Sequence, residues 1–151
     1  VYDPAGKVWF GGGIFLPHFG AVLSKNLLPE HSNQDYFLSN WVTGCSLLIN
    51  LKQFSECPQF DPDYFLYYED FDFCQRYAQQ HHQIAITPTI SVVHQVSSTT
   101  ERNLTAKLKH STYSYLITLE KYANPAILWM RLLGIIGHSI LRFPIKPKVS
   151  I

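Results

Sequence analysis

The spacing of apolar residues changes several times along the chain, and each change predicts an element. In residues 1–40, Gly, Pro, Asn and Ser break up every apolar run, so this segment is expected to be mostly irregular, with one short strand at KVWF (7–10). The GGG at 11–13 reads as a flexible loop; a phosphate-cradling loop would need a following Gly-Lys-Ser/Thr, which the sequence lacks. WVTGCSLLINL (41–51) is an apolar, partly β-branched run that predicts a strand, in which Gly44 would form a bulge or admit another backbone or a ligand. Asn50 is placed to cap a short helix over LKQFSEC, with Pro58 marking its end. YFLYY (64–68) is expected to be extended. The period then becomes helical, with Phe73 and Tyr77, and Cys74 and Ala78, as i, i+4 pairs of a helix that starts near Glu69. QIAITPTISVVHQ (83–95) predicts one or two short strands interrupted by Pro88, with His94 at the carboxyl end of the second. Polar SSTTERN follows, then helices over about 102–122 and 126–142.

Composition narrows the class. At 151 residues, with 46% hydrophobic and 15% charged residues, the chain can bury enough apolar surface to fold as one domain. A formal net charge of +1 gives no basic stripe for nucleic acid, and that partner is set aside. Three cysteines without a CxxC pair suggest neither a disulfide framework nor a thiolate zinc site, which fits a reducing cytoplasm. The amino-terminal residues lack the basic and apolar regions of a signal peptide. The last predicted helix is the most hydrophobic stretch, yet Arg131, His138 and Arg142 interrupt it and share one helical face. It could lie in a membrane interface or pack on another part of the protein.

The chemistry concentrates in DPDYFLYYEDFDFCQRYAQQ (61–80), which holds five of the 11 acidic residues: Asp61, Asp63, Glu69, Asp70 and Asp72. Carboxylates in a first helical turn are stabilised by free N–H groups and the helix dipole, by about 0.3–1 kcal/mol each, so capping alone could explain them. Two features point further. Glu69 and Asp70 are adjacent and follow an aromatic run, so burial and like charge would raise a carboxyl pKa toward general-base use at the mouth of an apolar pocket. His94 ends a strand, a position from which α/β sheets commonly contact ligands. Asp72 and Arg76 read as a structural i, i+4 pair, Asp61 as a turn cap, and His81 and His82 as surface residues at a helix end.

WVTGCSLLI, FDPDYFLYYEDFDFCQR, SVVHQVSS and RNLTAKLKHSTYSYLITLEKYA, in that order over most of 41–125, resemble the inverting, nucleotide-sugar-dependent family 2 glycosyltransferases, especially their bacterial rhamnosyltransferase-like branch. The resemblance implies an α/β fold: the carboxyl-terminal part of a GT-A nucleotide-diphospho-sugar transferase, with a mixed sheet, flanking helices and a helical carboxyl terminus. It divides the chain into an acceptor-side half-domain over 1–125 and an apolar, amphipathic helix and tail over 126–151. It implies that Asp70 is the general base that deprotonates an acceptor hydroxyl, and that Glu69 orients the acceptor or tunes Asp70. Thr43 and Gly44 would line the sugar site, and Trp41 would offer a pyranose its face unless it is an ordinary core tryptophan. His94 would complete the coordination of a divalent metal, Mn²⁺ or Mg²⁺, on the donor diphosphate.

The implied partners are a nucleotide-sugar donor, with rhamnose one candidate sugar, and a glycan or lipid-linked acceptor. The implied setting is the cytoplasm or the inner face of the cytoplasmic membrane; peripheral membrane contact through 126–142 belongs to the interfacial reading of the last helix. One departure is large. The family's amino-terminal Rossmann-like half, with its strand-borne Asp-x-Asp, has no counterpart here, so the chain by itself is expected to be inactive or nearly so, and to self-associate through uncovered edges and faces. The alternative is a non-catalytic binding or structural module whose carboxylates are caps. A metal-dependent hydrolase is disfavoured because His94 is the only well-placed imidazole.

Overall fold

A computed structural model describes residues 1–29, 33–95 and 103–142 and finds a hairpin where an irregular segment is expected. Strands β1 (Gly13–Leu16) and β2 (Ala21–Ser24) pair antiparallel, with Gly13 opposite Ser24 and Leu16 opposite Ala21. The turn is legible in retrospect: Pro17 presets the bend, Phe19 N–H donates to the Leu16 carbonyl at 3.0 Å, and Gly20 takes a left-handed φ of 57°. A Cβ on Gly20 would also collide with Leu119 and Ile127, so glycine is needed there for space as well as for backbone. KVWF forms no strand; Val8 makes only an isolated bridge with Tyr2.

The strand expected over 41–51 is absent. Trp41 makes one bridge to Gly13, after which the Thr43 hydroxyl accepts from Cys45 N–H and the Asn50 side chain from Lys52 N–H. These local bonds turn the chain into two 3₁₀ segments, Gly44–Ser46 and Leu51–Gln53, because short polar side chains offer the backbone an alternative to a sheet ladder. Asn50 is therefore a cap, of a shorter element than expected.

YFLYY is not extended at its end: Tyr67 and Tyr68 both have φ of 66°. This double left-handed step reverses the chain into helix α1 (Glu69–Gln79), which starts where the periodicity places it. Helix α2 (Leu104–Tyr122) is capped by Asn103, whose side chain accepts from Ala106 N–H at 3.0 Å. Helix α3 (Pro125–Arg142) begins with Pro at its first position, with the Asn124 side chain accepting from Ala126 N–H. The polar stretch 96–102 and the tail 143–151 lie outside the described residues.

Strand β3 (Phe37–Leu38) pairs antiparallel with β4 (Ala85–Ile86). The described residues thus hold two small antiparallel sheets and three helices, an α/β mixture without the expected mixed sheet; the single parallel feature is a bridge between Tyr2 and Val93. Its core is aromatic: Phe10, Tyr64, Phe71, Phe73, Tyr77 and Leu119 are buried, four of the six from the 61–80 segment. Helix α2 backs this core through polar ties. The Ser114 hydroxyl donates to the Leu66 carbonyl at 2.9 Å, Thr118 meets the Tyr64 hydroxyl at 3.3 Å, and the Tyr115 hydroxyl donates to the Gly20 carbonyl at 3.1 Å. His82, expected at the surface, instead stacks on Phe54 with ring centroids 4.2 Å apart.

Candidate functional site

The carboxylates of the 61–80 segment take three different roles. Asp72 is a structural charge. It is fully buried, receives Arg76 Nε at 2.7 Å, Lys121 Nζ at 3.2 Å and the Tyr122 hydroxyl at 2.7 Å, and so ties α1 to the end of α2. Arg76 is readable from i, i+4 spacing; Lys121 and Tyr122 lie 49 and 50 residues away, and no local signal names them. Asp61 does cap its turn, accepting from Asp63 N–H, and it also pairs with Lys121 at 2.5 Å, which holds its carboxyl below the usual range.

Asp70 is different: among the described residues it has no cationic partner. Its Oδ2 accepts from Gly44 N–H at 2.9 Å and its Oδ1 from Phe71 N–H at 2.8 Å. Burial pushes its pKa upward, against the pull of those N–H groups and a weaker one from the Thr43 hydroxyl. Asp70 does not cap α1, whose N-cap is Tyr68 without a side-chain bond. A carboxylate fixed by two N–H groups, unpaired with any cation and raised in pKa has the attributes of a proton acceptor.

Glu69 stands beside it. Its Oε2 is buried with no hydrogen-bond partner among the described residues, and burial first, then the neighbouring Asp70 charge, raises its pKa. A buried carboxylate oxygen without a donor is costly unless a ligand supplies one.

Thr43 is buried and Gly44 sits directly over Asp70, where an added Cβ would lie 3.5 Å from the Asp70 Cβ, an ordinary contact. The fold thus brings together Thr43, Gly44, Glu69 and Asp70. Trp41 is half-buried and packs as a core residue. Its ring lies 4.8 Å from Phe10 and 6.4 Å from Phe71, its Nε1 donates to the Leu23 carbonyl at 3.3 Å, and it fills the space over Gly13.

His94 ends no strand, since the neighbouring Val93 makes only an isolated bridge with Tyr2; it sits in the aromatic cluster. Its backbone N–H donates to the Tyr2 carbonyl at 2.9 Å and its ring packs on Trp9 at 4.9 Å, with Phe10, Trp41 and Phe71 continuing the run of rings toward Asp70. No hydrogen bond or ion pair joins His94 to Asp70. Among the described residues no three His, Cys, Asp or Glu side chains gather into a set that could hold a metal ion. A divalent cation would find one imidazole here, and this donor set does not fit it.

A cleft of about 600 Å³ borders the same segment, lined by Thr43, Leu47, Asn50, Phe54, Cys74 and Tyr77 among others. Asp70 is not on its wall, so the pocket expected at that carboxylate is not this cleft.

Comparison with known proteins finds a distant similarity. The chain is 26% identical over 80 residues to the rhamnosyltransferase WbbL of Escherichia coli K12, a match that spans 53% of this chain and 30% of that protein. No family model and no solved structure matches. The likeness suggests a glycosyltransferase-like relationship, carried by about half of the chain.

Proposed function

We propose that the chain forms the acceptor side of an inverting glycosyltransferase in which Asp70 is the general base. The acceptor hydroxyl gives its proton to Asp70 as its oxygen attacks the anomeric carbon from the face opposite the diphosphate. The new C–O bond forms while the bond to the phosphate oxygen breaks, and the nucleoside diphosphate leaves with that electron pair. The observation that carries this reading is the Asp70 carboxylate itself, oriented by Gly44 and Phe71 N–H groups and raised in pKa with no cation beside it among the described residues. The buried Glu69 Oε2, without a hydrogen-bond partner among the described residues, would accept a hydrogen bond from the acceptor and so hold it.

The order of the sequence motifs and the partial similarity to a rhamnosyltransferase support the same reading. A deoxyhexose such as rhamnose is accordingly the first donor sugar to try, with a glycan or lipid-linked hydroxyl as acceptor. A Mn²⁺ or Mg²⁺ ion on the donor would require ligands beyond His94, and no step here depends on it. The test is transfer from nucleotide-sugar donors by a polypeptide that carries this chain together with a nucleotide-binding half, with the anomeric configuration of the product determined by NMR. Inversion supports the proposal; retention, or no transfer from any donor by folded protein, overturns it.

Gly44 supplies an internal check. Gly44→Ala adds a methyl group at van der Waals distance from Asp70 and is expected to fold and transfer sugar nearly as the parent does. Gly44→Leu carries bulk across the carboxylate and is expected to lower kcat/KM by about 10²-fold, the scale of a misplaced reacting group, with little change in Tm. Steady-state kinetics with thermal melts of both variants would check this; equal activity in the leucine variant would remove Gly44 from the site.

A further inference from the structure

Helix α3 uses only one side of itself to hold the protein together. Ile127 packs over Gly20, Arg131 Nη2 donates to the Phe19 carbonyl at 2.9 Å, and Leu128, Leu132 and Ile135 are half-buried. The opposite side is apolar and open. Trp129, Leu133, Ile136 and Ile140 follow one another at i, i+4, i+7 and i+11, a single line along the helix, and they are 62%, 66%, 47% and 68% exposed. Met130 and Leu141, also exposed, widen the stripe. Nothing among the described residues covers it.

Charge indicates what does. After Glu120 the sequence holds no Asp or Glu, whereas acidic and basic residues are nearly balanced over the whole chain; Lys121 pairs with Asp61 and Asp72 and Arg131 lies on the packed side, which leaves Arg142, Lys146 and Lys148 at and beyond the carboxyl end of the helix sequence. A second copy seated on this helix would bring like charges together, which disfavours that pairing. An anionic lipid surface attracts the same cations and accepts the apolar stripe. No described helix is long and apolar enough to cross a membrane, so the fitting geometry is a helix lying in the interface plane.

We propose that α3 docks on an anionic bilayer, with Trp129, Leu133, Ile136 and Ile140 set into the boundary between headgroups and acyl chains. This docking is independent of the sugar-transfer reading, and either can fail alone.

Co-sedimentation of the full-length protein with vesicles of phosphatidylglycerol and phosphatidylethanolamine, and separately with phosphatidylcholine vesicles, tests it. Binding is expected on the anionic vesicles, accompanied by a blue shift in the emission lost on Trp129→Phe. Leu133→Glu, at an exposed position, is expected to lower partitioning roughly tenfold or more without changing Tm. Neutralising Arg142, Lys146 and Lys148 to Gln is expected to weaken binding to anionic vesicles by about fivefold per residue. If Leu133→Glu lowers Tm, the milder Trp129→Ser and Ile140→Ser variants decide the same point. Wild-type protein that ignores anionic vesicles, or a Leu133→Glu variant that binds them equally well, overturns the proposal. So does a lipid-free dimer that Leu133→Glu dissociates in a protein that binds no vesicles.

Discussion

Asp70→Asn is expected to lower sugar transfer by about 10²–10⁴-fold, the usual contribution of a positioned general base, while the melting temperature stays level or rises. The two halves of that expectation have separate causes. Asparagine keeps one oxygen to accept from Gly44 N–H at 2.9 Å, loses the acceptor of Phe71 N–H, an exchange that the relieved desolvation offsets, and cannot take a proton from the acceptor. The stability half follows from the direction of the pKa shift. Burial raises the folded-state pKa of Asp70 above its unfolded value near 3.8. A carboxyl shifted upward contributes stability below its unfolded pKa, and that contribution is lost as pH rises through the folded pKa. At neutral pH the ionised group therefore stabilises nothing, and a neutral amide removes the desolvation cost. The same shift should appear in kinetics: kcat/KM falls as pH drops through the raised Asp70 pKa, so the acidic limb of the profile lies above the range of an ordinary aspartate. Transfer at the wild-type rate by the asparagine variant would remove Asp70 as the base. A loss of activity with a large drop in Tm would make its role structural.

What the sequence reveals and what it conceals divide by range. The start of α1 at Glu69, the Asp72–Arg76 pair, the turn at Asp61 and the extents of α2 and α3 are legible because each is fixed by residues within about one helical turn. The 41–51 run misleads because its apolar residues carry a strand signal, while Thr43 and Asn50 divert the backbone through side-chain bonds that hydrophobic periodicity does not register. The β1–β2 hairpin is concealed for the opposite reason: with Ile14, Phe15, Leu16, Ala21, Val22 and Leu23 all apolar, it shows no alternation, and only Pro17 and Gly20 mark it. At the candidate site, the contact of Gly44 with Asp70 spans 26 residues and cannot be read from spacing; only the resemblance between motifs places the two in one site. The resemblance also assigns His94 a ligand role, and in the fold its ring packs on Trp9.

The two acids at positions 70 and 72 should then separate cleanly by mutation. Asp72→Ala is expected to destabilise the fold severely, because removing one partner of a buried charge network leaves the others uncompensated, at roughly 3–5 kcal/mol. Exposure decides where in that range the loss falls. The Arg76 and Lys121 side chains are 29% and 31% exposed and can recover water when Asp72 is gone, whereas the carboxylate they hold is fully buried. The Tyr122 hydroxyl, whose pKa burial and Asp72 together push far up, loses its acceptor. The lower half of the range is therefore expected, a fall in Tm of about 6–16 °C for a chain of this size. Lys121→Met, which removes a partly exposed partner and leaves Arg76 and Tyr122 on Asp72, should cost only about 1 kcal/mol. Thermal melts of the two variants, with transfer assayed well below Tm, would check the pair. Residual kcat near the parent value in Asp72→Ala, against lost kcat at undiminished Tm in Asp70→Asn, would assign structure to one carboxylate and chemistry to its neighbour two residues away. An alanine at position 72 that leaves Tm unchanged would mean that the tie between α1 and the end of α2 contributes little to the fold.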